Sequence, residues 1–391
     1  MKILVVFGTR PEAIKLAPVI RELRGRSCLE GMSAVGASSS AQGLVVKVCV
    51  TAQHREMLDQ VLRLFDIVPD HDLNVMEDNQ TPTQVAASVL TRLEPILLAE
   101  RPDWVLVQGD TTTVAAASVA AFYARARVGH VEAGLRTGDK WQPFPEEINR
   151  RVAGCIADLH FAPTERARRN LLREGIPEDR ILITGNPVID ALQWVAALPS
   201  PPEMTTLIGP CPGISPPLVI FVTAHRRENF GAPLEGICLA LGDLASRYDG
   251  RIRIVYAVHR NPNVWEPVHR LLGGWANVTL TPPLDYLSTV HMLRHAYVVL
   301  TDSGGLQEEA PSLGKPVLVL REATERPEGV EAGTARVIGV KREDIVRETV
   351  RLLDDGEDYA AMARAANPYG DGRASKRIVQ ALLDARFVTP H

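Results

Sequence analysis

Cysteine is scarce in this sequence, and what little there is forms no pattern. The five residues Cys28, Cys49, Cys155, Cys211 and Cys238 are scattered and odd in number, with no C-x-x-C pair. That excludes a disulfide framework and a cysteine-built zinc site, and it suits free thiols in a reducing compartment. Long hydrophobic runs are missing too. The first apolar stretch, Ile3 to Phe7, stops at Gly8-Thr9-Arg10, which is too short for a signal-peptide core, and no later stretch is both uncharged and long enough to span a bilayer. A cytoplasmic chain with no membrane partner is the expectation. Nor does charge of one sign prevail: 43 basic residues against 47 acidic ones leave a net charge of -4. Nucleic acid is therefore not an expected partner, and any anion site must be local. Finally, Gly8 stands alone in the first strand-to-helix turn, with no G-x-G-x-x-G, so a nicotinamide cofactor has no evident seat. No cofactor and no metal are expected.

What is present is an ordinary globular composition, 46% hydrophobic and 23% charged, in a chain of 391 residues. That length exceeds a usual single core, so two domains are expected. No sequence repeat is visible, yet both halves alternate apolar strand-like runs with helical patterns, which points to α/β architecture. Strands are expected at 2–7, 45–50, 104–107, 127–131, 181–184, 218–222, 252–258, 278–280, 296–300 and 317–320. The segment Ser27 to Gly43, rich in small and polar residues, reads as a flexible surface insertion, and the proline-rich stretch Pro199 to Pro217 as an irregular connection.

Chemistry gathers where strands end. Thr301-Asp302-Ser303-Gly304-Gly305-Leu306-Gln307-Glu308-Glu309 follows one apolar strand and leads into another. Ser303, Gly304 and Gly305 bring backbone N–H groups close to a ligand without Cβ hindrance, at the positive end of a helix where a diphosphate would suit. Glu308 and Glu309 follow within about a turn, so one carboxylate is placed to accept bonds from sugar hydroxyls; alternatively, they merely stabilise the helix dipole. Arg321 and Arg326 lie just past the next strand, where ligands of open α/β sheets collect. Their presence tips the reading towards an anion site.

The first half repeats the theme. Gly8-Thr9-Arg10-Pro11-Glu12 turns the chain into a helix expected from about Ala13 to Leu23, and Arg10 and Lys15 set two cations on one side of its start. Asp110, in Gln108-Gly109-Asp110-Thr111-Thr112-Thr113, ends the next strand but one, unless its role is to cap the following helix. Glu132 and Glu146 complete three acids at one edge of one sheet. Carboxylates gathered near an anion site repel it, so a purely structural account is strained; general acid or base work is the usual reason for such a set. In the second half, His225 in Thr223-Ala224-His225-Arg226-Arg227-Glu228-Asn229 is placed to titrate near neutrality or to bond a phosphate.

Taken together, Phe7-Gly8-Thr9-Arg10-Pro11-Glu12-Ala13-Ile14-Lys15, Thr51-Ala52-Gln53-His54-Arg55, Gly109 to Thr113, Gly129 to Thr137, Pro145-Glu146-Glu147, Thr223 to Asn229 and Asp302 to Pro316 resemble the bacterial non-hydrolysing UDP-N-acetylglucosamine 2-epimerases. The likeness spans nearly the whole chain. It implies two Rossmann-like domains facing each other across a cleft, similar to the GT-B glycosyltransferases, over 1–185 and 186–372, with the last helix in 373–391 returning to the first domain. It implies reversible epimerisation of UDP-N-acetylglucosamine to UDP-N-acetylmannosamine, by elimination of UDP to 2-acetamidoglucal and readdition, in service of cell-envelope polysaccharide synthesis. A homodimer is implied as well. By resemblance, Asp110, Glu132, Glu146 and His225 match catalytic positions, and Arg10, Lys15, Ser303, Gly304, Gly305, Glu309 and Arg326 match the UDP site. Gln53, Gln80, Glu146, Arg226 and His259 match residues that hold an activating second sugar nucleotide in some relatives. Two positions depart from the pattern: Gln108 stands where many members carry His, and Leu284 where some carry Gln.

A glycosyltransferase, a hydrolysing epimerase and a silent sugar-nucleotide sensor are the rival readings. They differ in what they release: a transferred sugar, UDP with free sugar, or nothing.

Overall fold

The computed structural model describes residues 1–33, 43–52, 55–77, 80–209 and 217–385. The chain divides into two compact units, Met1–Ala191 together with Gly370–His391, and Leu192–Tyr369.

The first unit is built on a seven-stranded sheet in the order β3-β2-β1-β4-β5-β6-β7, parallel throughout. Its strands are β1 Lys2–Phe7, β2 Val45–Val50, β3 His71–Asp72, β4 Trp104–Gln108, β5 Arg127–Val131, β6 Leu159–Ala162 and β7 Ile181–Ile183. Ile3 to Phe7 and Trp104 to Val107 are buried without interruption, because helices cover both faces of a parallel sheet and the sequence must then be apolar at every such position. The helices are α1 Arg10–Ser33, α2 Arg55–Leu64, α3 Pro82–Glu100, α4 Thr112–Tyr123, α5 Glu146–Ile156 and α6 Glu165–Arg173, together with the first half of α7 Pro187–Ala196, which the division between the units crosses. One core lies between β1, β4, β5 and the inner faces of α3 and α4, with Leu4, Val6, Val105, Val107, Leu93 and Ala117 at its centre.

The second unit carries a six-stranded parallel sheet in the order β10-β9-β8-β11-β12-β13. Here α8 Glu203–Ile208 precedes β8 Leu218–Thr223, α9 Ala232–Arg247, β9 Ile252–Ala257, α10 Pro262–Leu272 and β10 Val278–Thr281. There follow α11 Tyr286–His295, β11 Ala296–Thr301, α12 Gly304–Glu309, β12 Val317–Val319, α13 Pro327–Glu331, β13 Ala335–Val337, α14 Arg342–Asp354 and α15 Gly356–Arg364. Ile220, Val222, Leu241, Ile254, Tyr256 and Leu300 lie in its core. The two all-parallel sheets with alternating helices are the α/β architecture expected.

Several local expectations are corrected. Helix α1 does not end near Leu23 but continues to Ser33, so residues 27–33 are helical; residues 34–42 lie outside the described residues. A nucleated helix adds one hydrogen bond per residue, and small polar residues without a proline do not stop it. Proline-rich 199–217 likewise contains α8. The first unit reaches past 185, because α7 holds a cap for the last helix, α16 Ala374–Asp384: Asp190 accepts from Ala374 N–H at 3.1 Å and Ser375 N–H at 2.8 Å. In turn α16 packs on α1.

Among the described residues no helix is long and apolar enough to cross a membrane.

His130 and His160 are cross-strand neighbours on β5 and β6, both buried. Burial disfavours the imidazolium and pushes their pKa values down, to about 3 and about 4. A folded-state value below the unfolded one means that the unfolded chain binds the proton first. Stability therefore falls as pH drops below about 6.5, by about 1.4 kcal/mol per unit for each such group. His160→Phe is expected to flatten the wild-type loss of unfolding free energy between pH 6.5 and 4.5 in urea titrations; equal slopes contradict this. A second test concerns Gly8, where a Cβ would sit 2.0 Å from Thr51 Oγ1 and 2.9 Å from Thr113 Oγ1. Gly8→Ala should lower stability by about 1–3 kcal/mol, read as a reduced urea midpoint.

Candidate active site

In the first unit the strand order changes direction between β1 and β4, and the loops leaving β1, β4 and β5 meet there. Open α/β sheets leave a crevice at such a point, which is where ligands collect. After β1, Glu12 turns back to accept the N–H groups of Gly8 at 2.8 Å and Thr9 at 2.7 Å, so the turn is closed by an acid from its own helix. Thr111 Oγ1 donates to the other Glu12 oxygen at 2.5 Å and also caps α4 by accepting from Val114 N–H. Burial raises the Glu12 pKa, and these donors oppose the rise.

Glu132 lies just past β5 with φ +62°, a left-handed conformation that non-glycine residues seldom adopt. Lys15 Nζ reaches both of its oxygens at 2.7 Å, Asn186 Nδ2 donates to Oε1 at 2.9 Å, and Gln108 Nε2 donates to Oε2. Each of these groups is a donor. Asp110 is not the cap of α4, a role that belongs to Thr111. Instead its Oδ2 meets Arg150 Nη2 from α5. Burial pushes the Asp110 pKa up and the nearby Glu132 adds to the rise, while Arg150 and Lys15 pull against it. The peptide before Asp110 is held by His130, whose Nε2 lies 2.7 Å from Gly109 O. Because His130 stays neutral, that nitrogen carries the hydrogen and donates.

Glu146 is half-buried on the first turn of α5, and its neighbour Glu147 is the acid that Arg150 and Arg151 hold, at 3.3 and 3.1 Å. Arg10 opens α1.

The second unit has its own change of direction, between β8 and β11. Asp302 follows β11, fully buried, and its Oδ2 accepts the N–H groups of His225 and Arg226, each at 2.7 Å, and Asn229 Nδ2 at 3.1 Å. One acid thus fastens the loop after β8 to the end of β11. His225 Nδ1 lies 3.4 Å from Asp302 Oδ1, and its ring stacks on His259 with centroids 5.4 Å apart. Burial lowers the His225 pKa and His259 adds to the fall, with Asp302 opposing.

Gly304 and Gly305 are not required by packing. A Cβ on Gly304 would meet only Arg326 Cζ at 4.0 Å, and one on Gly305 only Glu309 Oε2 at 3.7 Å and Ser303 Oγ at 3.9 Å. Room for something else to approach the backbone explains them better. Glu309 accepts from Tyr286 Oη at 2.9 Å, while Glu308 pairs with Arg326 Nε. Arg321 is bound at 2.7 Å to Glu228. Both arginines placed by the sequence near an anion site are paired with acids here, so an anion would have to share Arg326 with Glu308.

Of the remaining candidates, Gln80 lies in the first unit, donating to Val75 O at 2.7 Å, whereas Arg226 and His259 belong to the second. Gln53 falls outside the described residues. Sequence reasoning missed Glu12, Glu147, Arg150, Asn186, Tyr286 and Asp302 as site residues. Glu12 and Asp302 had a signal, an acid inside each strand-to-helix turn, and Glu147 and Arg150 had another, an acid and a base three residues apart on one helix; Asn186 lies 54 positions from Glu132, and Tyr286 lies 23 from Glu309.

The family model described as UDP-N-acetylglucosamine 2-epimerase matches residues 37–383. The UDP-N-acetylglucosamine 2-epimerase of Escherichia coli K12 is 54% identical over 390 residues, covering 99% of this chain and 100% of the relative. A crystal structure of the Neisseria meningitidis UDP-GlcNAc 2-epimerase bound to UDP-GlcNAc is 47% identical with a TM-score of 0.85, over 98% of this chain and 100% of that one. The Methanocaldococcus jannaschii enzyme in complex with UDP-GlcNAc and UDP is 31% identical, with a TM-score of 0.77 and coverage of 98% and 100%. On this likeness along its whole length, the chain belongs to the UDP-N-acetylglucosamine 2-epimerase family.

Proposed function

We infer that this chain is an isomerase that interconverts UDP-N-acetylglucosamine and UDP-N-acetylmannosamine by eliminating UDP to 2-acetamidoglucal and adding it back after reprotonation at C2. The C2 hydrogen of the sugar is not acidic, so it leaves only if C3 is oxidised or if the anomeric leaving group departs. Departure needs donors for the diphosphate and acid/base groups for C2.

The observation that carries this reading is the contrast between two acids at one switch point. Glu132 is surrounded by the donors Lys15, Gln108 and Asn186, whereas Asp110 has its pKa raised by burial. Carboxyl groups in such different surroundings divide naturally into one that accepts a proton and one that donates. We assign proton transfer to Asp110, Glu132 and Glu146, and the departing UDP to Ser303, Gly304, Gly305, Glu309 and Arg326 with Arg10, Lys15 and His225. The uncrowded glycines after β11 support the second assignment. A homodimer and a product that feeds cell-envelope polysaccharide synthesis are part of the same proposal, as the sequence resemblance implies.

Asp110→Asn, Glu132→Gln and Glu146→Gln should each lower turnover of UDP-N-acetylglucosamine by at least about two orders of magnitude, as loss of a general acid or base does. Formation of UDP-N-acetylmannosamine followed by chromatography measures it. Near-normal turnover in all three defeats the assignment, and accumulation of UDP with free sugar in the wild type favours the hydrolysing reaction.

A further inference from the structure

Glu147 has no solvent exposure, although it sits on the first turn of a helix. Four groups converge on its carboxylate. Arg150 Nη1 at 3.3 Å and Arg151 Nη2 at 3.1 Å come from α5, and the N–H groups of Thr137 at 3.1 Å and Gly138 at 3.4 Å come from the loop between β5 and α5. An acid favours a helix N-terminus from the surface just as well, so the dipole does not explain why this one is enclosed. Burying a charge is costly unless its partners are fixed.

The enclosure does fix a partner. Arg150 spans two acids, with Nη1 on Glu147 and Nη2 on Asp110 Oδ2, and its Nε has no hydrogen-bond partner among the described residues. The two ends of the guanidinium therefore orient it. Released from Glu147, Arg150 would keep a single grip and regain rotamer freedom.

We propose that Glu147 is a positioning residue for the reaction: through Arg150 it keeps a guanidinium against Asp110, and through Thr137 and Gly138 it anchors the loop leading into α5. This rests on the reading that Asp110 carries a proton in catalysis. The charged groups facing Asp110 are Arg150 from α5, Glu132 after β5 and Lys15 from α1. Arg150 and Lys15 favour the carboxylate, and Glu132 opposes it. Removing the Glu147 charge would by itself favour the Asp110 carboxylate, but it lies beyond the guanidinium, whereas Arg150 touches Asp110 directly; losing that contact is the larger effect, so Asp110 should keep its proton to higher pH.

The Asp110 titration is read directly from the 13C shift of its carboxyl carbon against pH. Glu147→Gln is expected to raise the midpoint by about half a unit or more, and Arg150→Met by about one unit or more. The double variant should match Arg150→Met, since Glu147 acts through Arg150. An unmoved midpoint in Glu147→Gln, or a double variant that clearly departs from Arg150→Met, overturns the proposal. If Glu147→Gln does not fold, Arg150→Lys replaces it: a compact ammonium lacks the planar fork that spans the two acids, and a midpoint between those of wild type and Arg150→Met is expected, with equality to wild type overturning the idea. The kcat pH profile of Glu147→Gln should move its limb in the same direction as the midpoint. Turnover of Asp110→Asn is the separate control. Normal turnover there removes Asp110 from the reaction, whereas the midpoint shift tests the hold of Glu147 on Asp110, so the two fail separately.

Discussion

Glu132 stands in a left-handed conformation at the end of β5, 6% exposed, and the first unit's site is arranged to keep it there. A non-glycine residue with positive φ persists only where its surroundings over-determine it. Here the surroundings are Lys15 from α1, Gln108 from the end of β4 and Asn186 from just before α7. Three separated stretches of chain thus fix one carboxylate, and its charge in turn raises the proton affinity of Asp110. Gln108, the last residue of β4, supplies one of these donors through its side-chain amide.

Asp302 plays the comparable structural part in the second unit. It is wholly buried and tied to two backbone N–H groups and an amide, and it fixes the loop that carries His225 and Arg226. In each unit, then, a buried acid at a change of strand direction organises the backbone, and neighbouring groups are placed by it. Among the acids of the two sites, Glu12, Glu147 and Asp302 hold loop backbone and all three are buried. That division explains why Glu147 is enclosed and Glu146 is not: one anchors Arg150 and the β5–α5 loop, and the other is left half-buried at the start of α5.

Much of the fold is legible in the sequence because parallel strands are buried on both faces and read as unbroken apolar runs; β1, β4, β8 and β11 are such cases. The elements that escape notice are those whose residues do not read as strand. β3 has two residues, both polar, and β6 places His160 in the middle of four. The turns after β1, β4, β5, β8 and β11 are legible as polar clusters at apolar ends. Which acid pairs with which base is not. Asp110 looks like a cap until Thr111 is seen to fill that role, and Arg321 and Arg326 look like open cations until Glu228 and Glu308 are found beside them. Pairings of this kind join residues that can be tens of positions apart, and local spacing carries no trace of them.

The most direct test of the account is proton NMR of the purified protein with UDP-N-acetylglucosamine in deuterated water, with no nicotinamide added. Elimination and readdition predict UDP-N-acetylmannosamine carrying deuterium at C2, because the abstracted proton exchanges with solvent before the new one is delivered. Product that forms with its C2 hydrogen fully retained would contradict proton transfer by the carboxylates at this site.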